Sequence, residues 1–424
     1  QESAYMSETP TTGSVEAQPH VFRDRSFRLF FTARTIAVAG AAVTGVAMPI
    51  LVFDISRSPF LTSLAAAGTV LPYLVFGLFA GAVADRVDRR TVILCAQAAA
   101  ALALASVPVA QALGVLTAWH AVGVSMCIGT CFVWFDAAAF GALPALVGRQ
   151  RIPAANSALW TAGTLIDVAF PAIAGVLVAS IGPAYALGAD ALAYVLAGLA
   201  MASIGASFSI TPAVPKKSEP GIARDIREGL SFLWQSPLLR ALTGVGFVNS
   251  LTQGAVTALL VVYATERLGI STSSPMIGAV WTAVSVGGVV GAVLLPRLPA
   301  RWPVGAITIG ALTIAPAVLF VVATTSNTAS AITALAVYSG CATVTILNGI
   351  GARQRLTPDR LQGRVNTTAR MVAWGGSPVG ALIAGVIAGR WDIGTAYLVA
   401  CIFALVGALF AWASALRSDP HPHR

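Results

Sequence analysis

The stretch Gly81-Ala-Val-Ala-Asp85-Arg86-Val-Asp88-Arg89-Arg90 separates two long apolar runs, near 60–83 and 92–113. A helix that crosses a bilayer needs about 20 mainly apolar residues, and each run reaches that length. The charged residues concentrate in the short break between the runs. The stretch therefore predicts a loop at a membrane surface that joins two spanning helices.

The same alternation of apolar runs and short polar breaks continues along the chain. Of its 424 residues, 57% are hydrophobic and 10% are charged, and the mean hydropathy is +0.80, which is typical of a membrane protein. We predict an all-α membrane protein with twelve transmembrane helices in two pseudo-symmetric six-helix bundles. The predicted spans are 27–53, 60–83, 92–113, 118–146, 153–180, 184–206, 238–264, 275–295, 303–323, 328–352, 364–388 and 393–416.

The longest interior polar segment divides the chain into two halves, and it ends in an amphipathic helix predicted over 222–234. Short similarities at an offset of about 207 to 210 residues, such as Asn156 before Pro171 and Asn366 before Pro378, indicate an internal duplication. Residues 1–5, ahead of Met6, are interpreted as residues added for expression of the protein. The expected parts are a cytoplasmic tail (1–26), an N-terminal bundle (27–206), a cytoplasmic linker (207–237), a C-terminal bundle (238–416) and a second cytoplasmic tail (417–424).

The basic residues predict the orientation of the chain, because Lys and Arg near a span tend to stay on the cytoplasmic side. With the N-terminus inside, Arg57, Arg267 and Arg390 fall in outside loops, Arg34 and Arg370 fall within spans, and every other Lys or Arg falls inside. We expect both termini in the cytoplasm and the protein in the inner membrane of a bacterium. The formal net charge of +9 follows from this topology, so we expect no nucleic-acid partner.

Neither the histidines nor the cysteines form a constellation typical of an enzyme or a metal site. His20 and His120 have no neighbouring groups in the sequence that would suit catalysis. The cysteines lie within predicted spans without His or acidic partners. We expect no enzymatic activity, no metal and no cofactor, with a proton gradient as the energy source. The cysteines are Cys95, Cys127, Cys131, Cys341 and Cys401.

The loop at 81–90 resembles the cytoplasmic signature of the major facilitator superfamily, G-x-x-x-D-R-x-G-R-R, with Asp88 in place of the second glycine. Further stretches look like the branch that contains the enterobactin exporters and the macrolide efflux proteins: 143–149, 190–194, 236–238, 357–359 and 363–366. The resemblance extends over nearly the whole chain. It implies two bundles that rock about a central site and expose it to each side in turn, driven by a proton gradient.

The signature also implies a conformational latch between the halves. Asp85 would lie near the positive N-terminal end of the eleventh span, close to Arg364 or Arg370. A loop that only fixes topology would explain Arg89 and Arg90 equally well. The candidate latch residues are Gly81, Asp85, Arg86, Arg89, Arg90, Arg364 and Arg370.

Ionisable side chains within spans are candidates for energy coupling, because each costs at least about 2.5–3.5 kcal/mol near the bilayer centre. In the first half these are Arg34, Asp136 and Asp167. Arg34 can neutralise only one carboxylate, so we predict that Asp136 and Asp167 form the proton-coupling pair, with Arg34 as the counter-ion of one of them. Pro171 removes the hydrogen bond that the Asp167 carbonyl would accept, which predicts a kink. The alternative is a permanent ion pair beside an acid that only holds helices together.

Aromatic and amide side chains within the spans suit an amphipathic organic solute. Asn249 and Gln253 share a face of one predicted helix, and buried amides in membranes need partners. A tryptophan can equally face lipid or pack in the core. The candidate substrate-binding residues are Trp134, Asn249, Gln253, Asn348 and Trp374.

Together these features predict a secondary active transporter that exports a small amphipathic organic compound by alternating access and proton antiport. The compound would be a drug, an antibiotic, a siderophore or another secondary metabolite. An uptake symporter or facilitator of the same fold, and a membrane receptor or scaffold that does not transport, are the alternatives. The expected partners are a small-molecule substrate and the lipid bilayer, and we expect a monomer.

Overall fold

The computed structural model describes residues 21–84, 87–205, 208, 222–299, 301–358 and 361–418. Within these ranges the chain is almost entirely helical and no strand occurs. In a bilayer this is expected, because a helix satisfies every backbone polar group within its own segment. The predicted all-α class is confirmed.

Six long helices make up the first half of the chain. The side chain of Asp24 accepts a hydrogen bond from the backbone nitrogen of Ser26 (2.8 Å), which fixes the start of the first helix. The following helices begin and end close to the predicted spans. They are α1 (Arg25–Ser56), α2 (Pro59–Ala84), α3 (Arg89–Ala112), α4 (Ala118–Val147), α5 (Ile152–Ile181) and α6 (Pro183–Ala202).

The second half begins with the amphipathic helix and contains two spans that are broken into segments. The predicted span 238–264 consists of two helical parts that meet at Leu259 with a bend of 46°. The span 364–388 is divided at Gly375. The elements are α7 (Ile222–Gln235), α8 (Pro237–Ala258), α9 (Leu260–Val262) with a π-helical turn (Tyr263–Arg267), α10 (Met276–Leu294), α11 (Val304–Thr324), α12 (Thr328–Leu356), α13 (Gln362–Trp374), α14 (Gly376–Arg390) and α15 (Ile393–Ala413).

Ten of the helical spans in the described residues are long and apolar enough to cross a membrane, and two bent pairs raise the number to twelve. The second bent pair is α5, whose halves Ile152–Ile166 and Ala169–Ile181 meet at 42°. The bend lies where Pro171 was expected to weaken the helix. Twelve spans in two sets of six therefore account for the apolar runs of the sequence.

Each half forms its own bundle, and four helices bring the bundles together. In the first half α1 packs against α5 and α6, and α2 against α4; in the second, α10 packs against α12 and α11 against α15. Between the halves, α2 contacts α14 and α5 contacts α10. We call the end of the molecule that carries Arg25 and Leu416 the termini end, and the other the distal end.

The bundles are sealed against each other at the distal end. One large buried cluster there contains residues of both halves, from Phe53 of α1 to Tyr397 of α15. In the termini half, the larger clusters each stay within one bundle, for example the one around Phe27 and the one around Leu242. The two bundles are therefore held together mainly by their distal halves.

Glycines allow the closest approach within the distal seal. The backbones of α5 and α10 cross at Gly175 and Gly278, where a Cβ added to Gly175 would lie 2.5 Å from the Cα of Gly278. A contact of that length is far below the usual carbon–carbon distance of about 3.5–4.0 Å. Only glycine fits at this crossing.

The linker helix α7 packs on the C-terminal bundle. Phe232 and Leu233 lie against Leu361 and Val365, at the start of α13. On the other side of α7, Trp234 is 66% exposed, which suits the membrane surface expected for this helix. The linker helix is thus attached to the second half of the chain.

Candidate functional site

Of the two acids that the sequence offered to Arg34, the structure pairs it with Asp136, within the membrane-spanning part of the helices. Arg34 lies about 14 Å from the start of α1, and Asp136 about 17 Å from the end of α4, so both reach a similar depth from the termini end. Nη2 of Arg34 donates to Oδ1 of Asp136 at 3.3 Å. Both side chains are 27% exposed. The pair is therefore neither buried in lipid-like packing nor fully solvated.

An aromatic ring supports the arginine of this pair. The guanidinium of Arg34 lies 5.6 Å from the ring centroid of Phe135, a cation–π distance. The ion pair rests on one hydrogen bond rather than a bidentate fork, so a proton or a second cation can compete for Asp136.

The other predicted coupling residue, Asp167, lies at the bend of α5, but its side chain is outside the described part of the structure. The bend itself is present between Ile166 and Ala169. Pairing between Arg34 and Asp136 means that Asp167 would need a different partner. Its role stays a prediction.

Aromatic side chains from both bundles meet at the level of the charge pair. The rings of Tyr73 on α2 and Trp374 on α13 lie 5.3 Å apart at 47°. Trp134 on α4 packs against the same cluster, together with Met371 of α13. Because Trp134 precedes Asp136 by two residues, the aromatic cluster and the ion pair lie at the same level. The structure thus brings two of the predicted substrate-binding residues, Trp134 and Trp374, to one place between the bundles.

The three predicted amides lie in different environments. Nδ2 of Asn348 donates to the carbonyl of Val304 (2.8 Å) and to the hydroxyl of Thr308 (2.9 Å), so this amide joins α12 to α11 inside the C-terminal bundle. These two bonds give Asn348 a role between helices in this conformation, and its contact with substrate stays a prediction. Asn249 is 5% exposed and its Nδ2 has no hydrogen-bond partner among the described residues, whereas Gln253 is half-buried. These two remain candidates.

The predicted latch can be followed only in part. Arg89 donates to the carbonyl of Gly141 (2.8 Å) and Arg90 to that of Ala202, so both arginines bind backbone carbonyls of their own bundle. Asp85 and Arg86, the surroundings of Gly81, and the side chains of Arg364 and Arg370 lie outside the described part of the structure, so the contact between the halves stays a prediction.

The residue that replaces the signature glycine forms a helix cap. Asp88 has φ −59°, so the turn needs no left-handed residue. Its carboxylate accepts from the backbone nitrogen (3.1 Å) and the hydroxyl (2.8 Å) of Thr91. The hydroxyl of Thr91 holds the pKa of Asp88 below its ordinary value. Aspartate is therefore a suitable substitute for glycine at this position.

Two charged residues of the interior were missed by reasoning from the sequence. Asp190 on α6 is 2% exposed and accepts a hydrogen bond from Thr44 of α1. Arg353 on α12 is 7% exposed, and its Nε has no partner among the described residues. The signal for Asp190 was available, since it is an isolated acid in an apolar segment. With Asp190 added to Asp136 and Asp167, the spans of the first bundle contain a larger excess of acids over their single arginine, Arg34, than the excess of one expected from the sequence.

A polar contact joins the bundles at the distal surface. The hydroxyl of Thr272, before α10, donates to Oδ1 of Asp54 at the end of α1 (2.8 Å). Arg57 approaches the same carboxylate at 3.8 Å and adopts a left-handed conformation with φ 50°. This contact closes the distal end above the apolar seal.

The described residues contain no cluster of three or more His, Cys, Asp or Glu side chains that could hold a metal ion. The groups at this depth are an ion pair between α1 and α4, aromatic rings from both bundles and the thioether of Met371. Such a set suits reversible binding of a solute and a proton.

Comparison with known proteins identifies the family. A family described as "Transmembrane secretion effector" matches residues 18–421. The multidrug efflux pump Tap of Mycolicibacterium fortuitum is 29% identical over 382 residues, which covers 85% of this chain and 88% of that protein. The enterobactin exporter EntS of Citrobacter koseri is 25% identical over 384 residues, with 85% and 84% covered.

Solved structures share the fold at low sequence identity. A bacterial homologue of the lysosomal transporter Spinster, in an inward-facing and unoccupied conformation, superposes with a TM-score of 0.74 at 12% identity, over 95% of this chain and 98% of that one. A bacterial homologue of the iron transporter ferroportin gives 0.70 at 15% identity, over 92% and 98%. With the family match over nearly its whole length, this chain belongs to the transmembrane secretion effector family of the major facilitator superfamily, and it is a multi-pass membrane transporter.

Proposed function

We propose that this protein exports small amphipathic organic compounds across the inner membrane of a bacterium, by alternating access coupled to proton antiport. Relatives named for multidrug efflux and for enterobactin export support the direction and the class of substrate. Both termini are proposed to lie in the cytoplasm, in agreement with the distribution of basic residues. In that orientation the apolar seal at the distal end closes the protein toward the outside.

The observation that carries the proposal is a cluster of aromatic rings from both bundles at the same depth as the Arg34–Asp136 ion pair. Rings from both halves can enclose an apolar or aromatic body, and the ion pair supplies polar contacts at its edge. A solute held by Trp134 from one half and Trp374 from the other would contact both bundles at once. Its binding would therefore depend on how the bundles are arranged, as alternating access requires.

The ion pair provides a physical link between proton and conformation. A proton on Asp136 removes the negative charge and leaves Arg34 without its counter-ion in a partly desolvated position, which is costly. The bundle can relieve this cost by moving α1 relative to α4. When Asp136 loses the proton, the pair forms again. Asp167 is the second candidate for this exchange, at the bend of α5.

Transport by purified protein in liposomes tests the proposal. Asp136→Asn mimics the protonated acid, so we expect it to abolish pH-driven accumulation while exchange of labelled for unlabelled substrate continues. Asp392→Asn is the matched control, because Asp392 caps α15 at the distal end and asparagine caps equally well. If Asp136→Asn and Asp167→Asn both retain full dependence on the pH gradient, the coupling mechanism is wrong. If the substrate accumulates in the liposomes when the pH gradient is reversed, so that the interior is the more alkaline side, the result contradicts export by proton antiport.

A further inference from the structure

A buried acid that the transport site does not use lies between α1 and α6. Asp190 is about 10 Å from the start of α6 and about 18 Å from its end, so it lies inside the bilayer. It is 2% exposed. Oδ2 accepts from the hydroxyl of Thr44, and Oδ1 has no hydrogen-bond partner among the described residues.

The neighbouring backbone is shaped to receive this carboxyl group. A Cβ placed on Gly40 of α1 would overlap Oδ1 of Asp190, so the acid occupies the space that any larger residue would fill. Ala193 packs beside the same point. The carboxyl group is therefore enclosed by α1, with one hydroxyl as its polar contact.

No cation of the described residues compensates a charge on Asp190. Arg34, the spanning arginine on α1, lies about 15 Å along the helix from Thr44 and pairs with Asp136. On α3, Gln97 and Pro108 face α6 at Gly198 and Gly188.

The titratable groups nearby are neutral ones. Tyr194 lies one turn further along α6, and Cys131 of α4 packs beside it. On α5, which also packs against α6, the side chain of Asp167 lies outside the described residues.

A carboxylate in such a place would lose its hydration and gain one hydrogen bond in return. One hydrogen bond is far too little to offset the free-energy cost of desolvating the charge. A neutral carboxylic acid needs only one donor and one acceptor, and the hydroxyl of Thr44 can serve as either. The enclosure that is unfavourable for the anion is thus suitable for the acid.

We propose that Asp190 is a proton-binding site, occupied and occluded between α1 and α6 in this conformation, and that the proton exchanges with water only when α1 moves away from α6. The first part holds whether or not the protein is an exporter. The second part rests on the proposed function, since it assigns α1 the movement that exposes the site. Helix α1 would then contact two proton-binding acids, Asp136 through Arg34 and Asp190 through Thr44.

Infrared spectroscopy of the protein in vesicles of ether-linked lipids, which have no ester carbonyl to overlap the band of a carboxylic acid, tests the occupancy. A protonated carboxylic acid has a carbonyl stretching band that neither carboxylates nor amides share. We expect such a band at neutral pH, well above the ordinary pKa of aspartate, about 3.9, and we expect it to be lost in Asp190→Asn but kept in Asp136→Asn. A spectrum of Asp190→Asn that equals that of the unchanged protein would overturn the proposal.

A second variant keeps the test decisive if Asp190→Asn does not fold. Thr44→Val retains the acid and removes its hydrogen-bond partner, so the same band should shift in frequency; an unchanged band would also count against the proposal. Exchange into heavy water tests the occlusion. We expect the band to move slowly in the resting protein and faster when a transported compound drives turnover. Fast exchange without substrate would refute occlusion. Full dependence on the pH gradient retained in both Asp136→Asn and Asp167→Asn, with an intact band, would show that only the coupling scheme had failed.

Discussion

The glycine crossing of α5 and α10 gives a direct test of the closed distal end. In Gly175→Ala the new Cβ would lie 2.5 Å from the Cα of Gly278, whereas carbon atoms prefer about 3.5–4.0 Å, so the helices must separate by about 1 Å. Overpacking of this kind costs about 1–3 kcal/mol. The cost falls on the distally closed conformation, because these helices part when the distal end opens. The ratio of closed to open protein should therefore fall by about 5- to 140-fold, at about 1.4 kcal/mol for each factor of ten.

Distances between spin labels at the distal ends of α5 and α10, measured in a cysteine-free background, report this ratio. The matched control is Gly163→Ala, on the same helix, where a Cβ meets nothing within 4 Å. Both changes raise helix propensity equally. We expect the population of long distal distances to grow in Gly175→Ala and to stay unchanged in Gly163→Ala. Equal distance distributions in the two variants would refute the reasoning.

The aromatic cluster and the cap of α3 give further expectations. Trp374→Ala removes the ring that faces Tyr73 and should raise the KM for transport by about tenfold, the equivalent of one lost aromatic contact. Asn348→Ala should lower thermal stability and leave the KM unchanged. A raised KM in Asn348→Ala with an unchanged KM in Trp374→Ala would indicate that Asn348, and not Trp374, contacts the substrate. Asp88→Ala removes the cap formed with Thr91 and should lower stability by about 1 kcal/mol. Because folding lowers the pKa of Asp88, its stabilisation exists above the ordinary pKa of aspartate and is lost as pH falls through the lowered value, so thermal unfolding of the variant and the unchanged protein should converge in acid.

The spanning helices could be predicted from the sequence because a bilayer leaves few alternatives. A run such as 303–323 must be helical to satisfy its backbone, and its ends are set by the change in polarity. The breaks were harder to foresee. The bend at Leu259 has no proline or glycine at the break itself, and it lies where α8 ends and the short α9 begins, ahead of the π-helical turn. Breaks of this kind depend on packing between helices rather than on the local sequence.

The site was predictable where charge decided the outcome. Residue type and depth predict that Arg34 needs an acid as its partner, because an unpaired charge is costly in the membrane interior. The sequence left open which acid that is, and the structure shows Asp136. The amides were different, since Asn348 could satisfy its donors with any neighbour, and the neighbour turned out to be Thr308 of α11. Which side of a helix faces the centre is a property of the packed bundle. Asp190 was overlooked because its surroundings are small residues that suggest only packing.

The packing of α7 against α13 determines where the chain can be split into two halves that each keep their own contacts. Phe232 and Leu233 pack against the second half of the chain. A C-terminal fragment that keeps all of these contacts therefore starts at Ile222 rather than at Pro237. Two fragments separated ahead of Ile222 would each keep every contact within their own bundle, and they could reassemble across the α2–α14 and α5–α10 boundaries. A break after Gln235 would leave α7 on the N-terminal fragment and separate it from the C-terminal bundle on which it packs. Gene fusion or exchange of halves between relatives is therefore expected to tolerate junctions before this helix and not behind it.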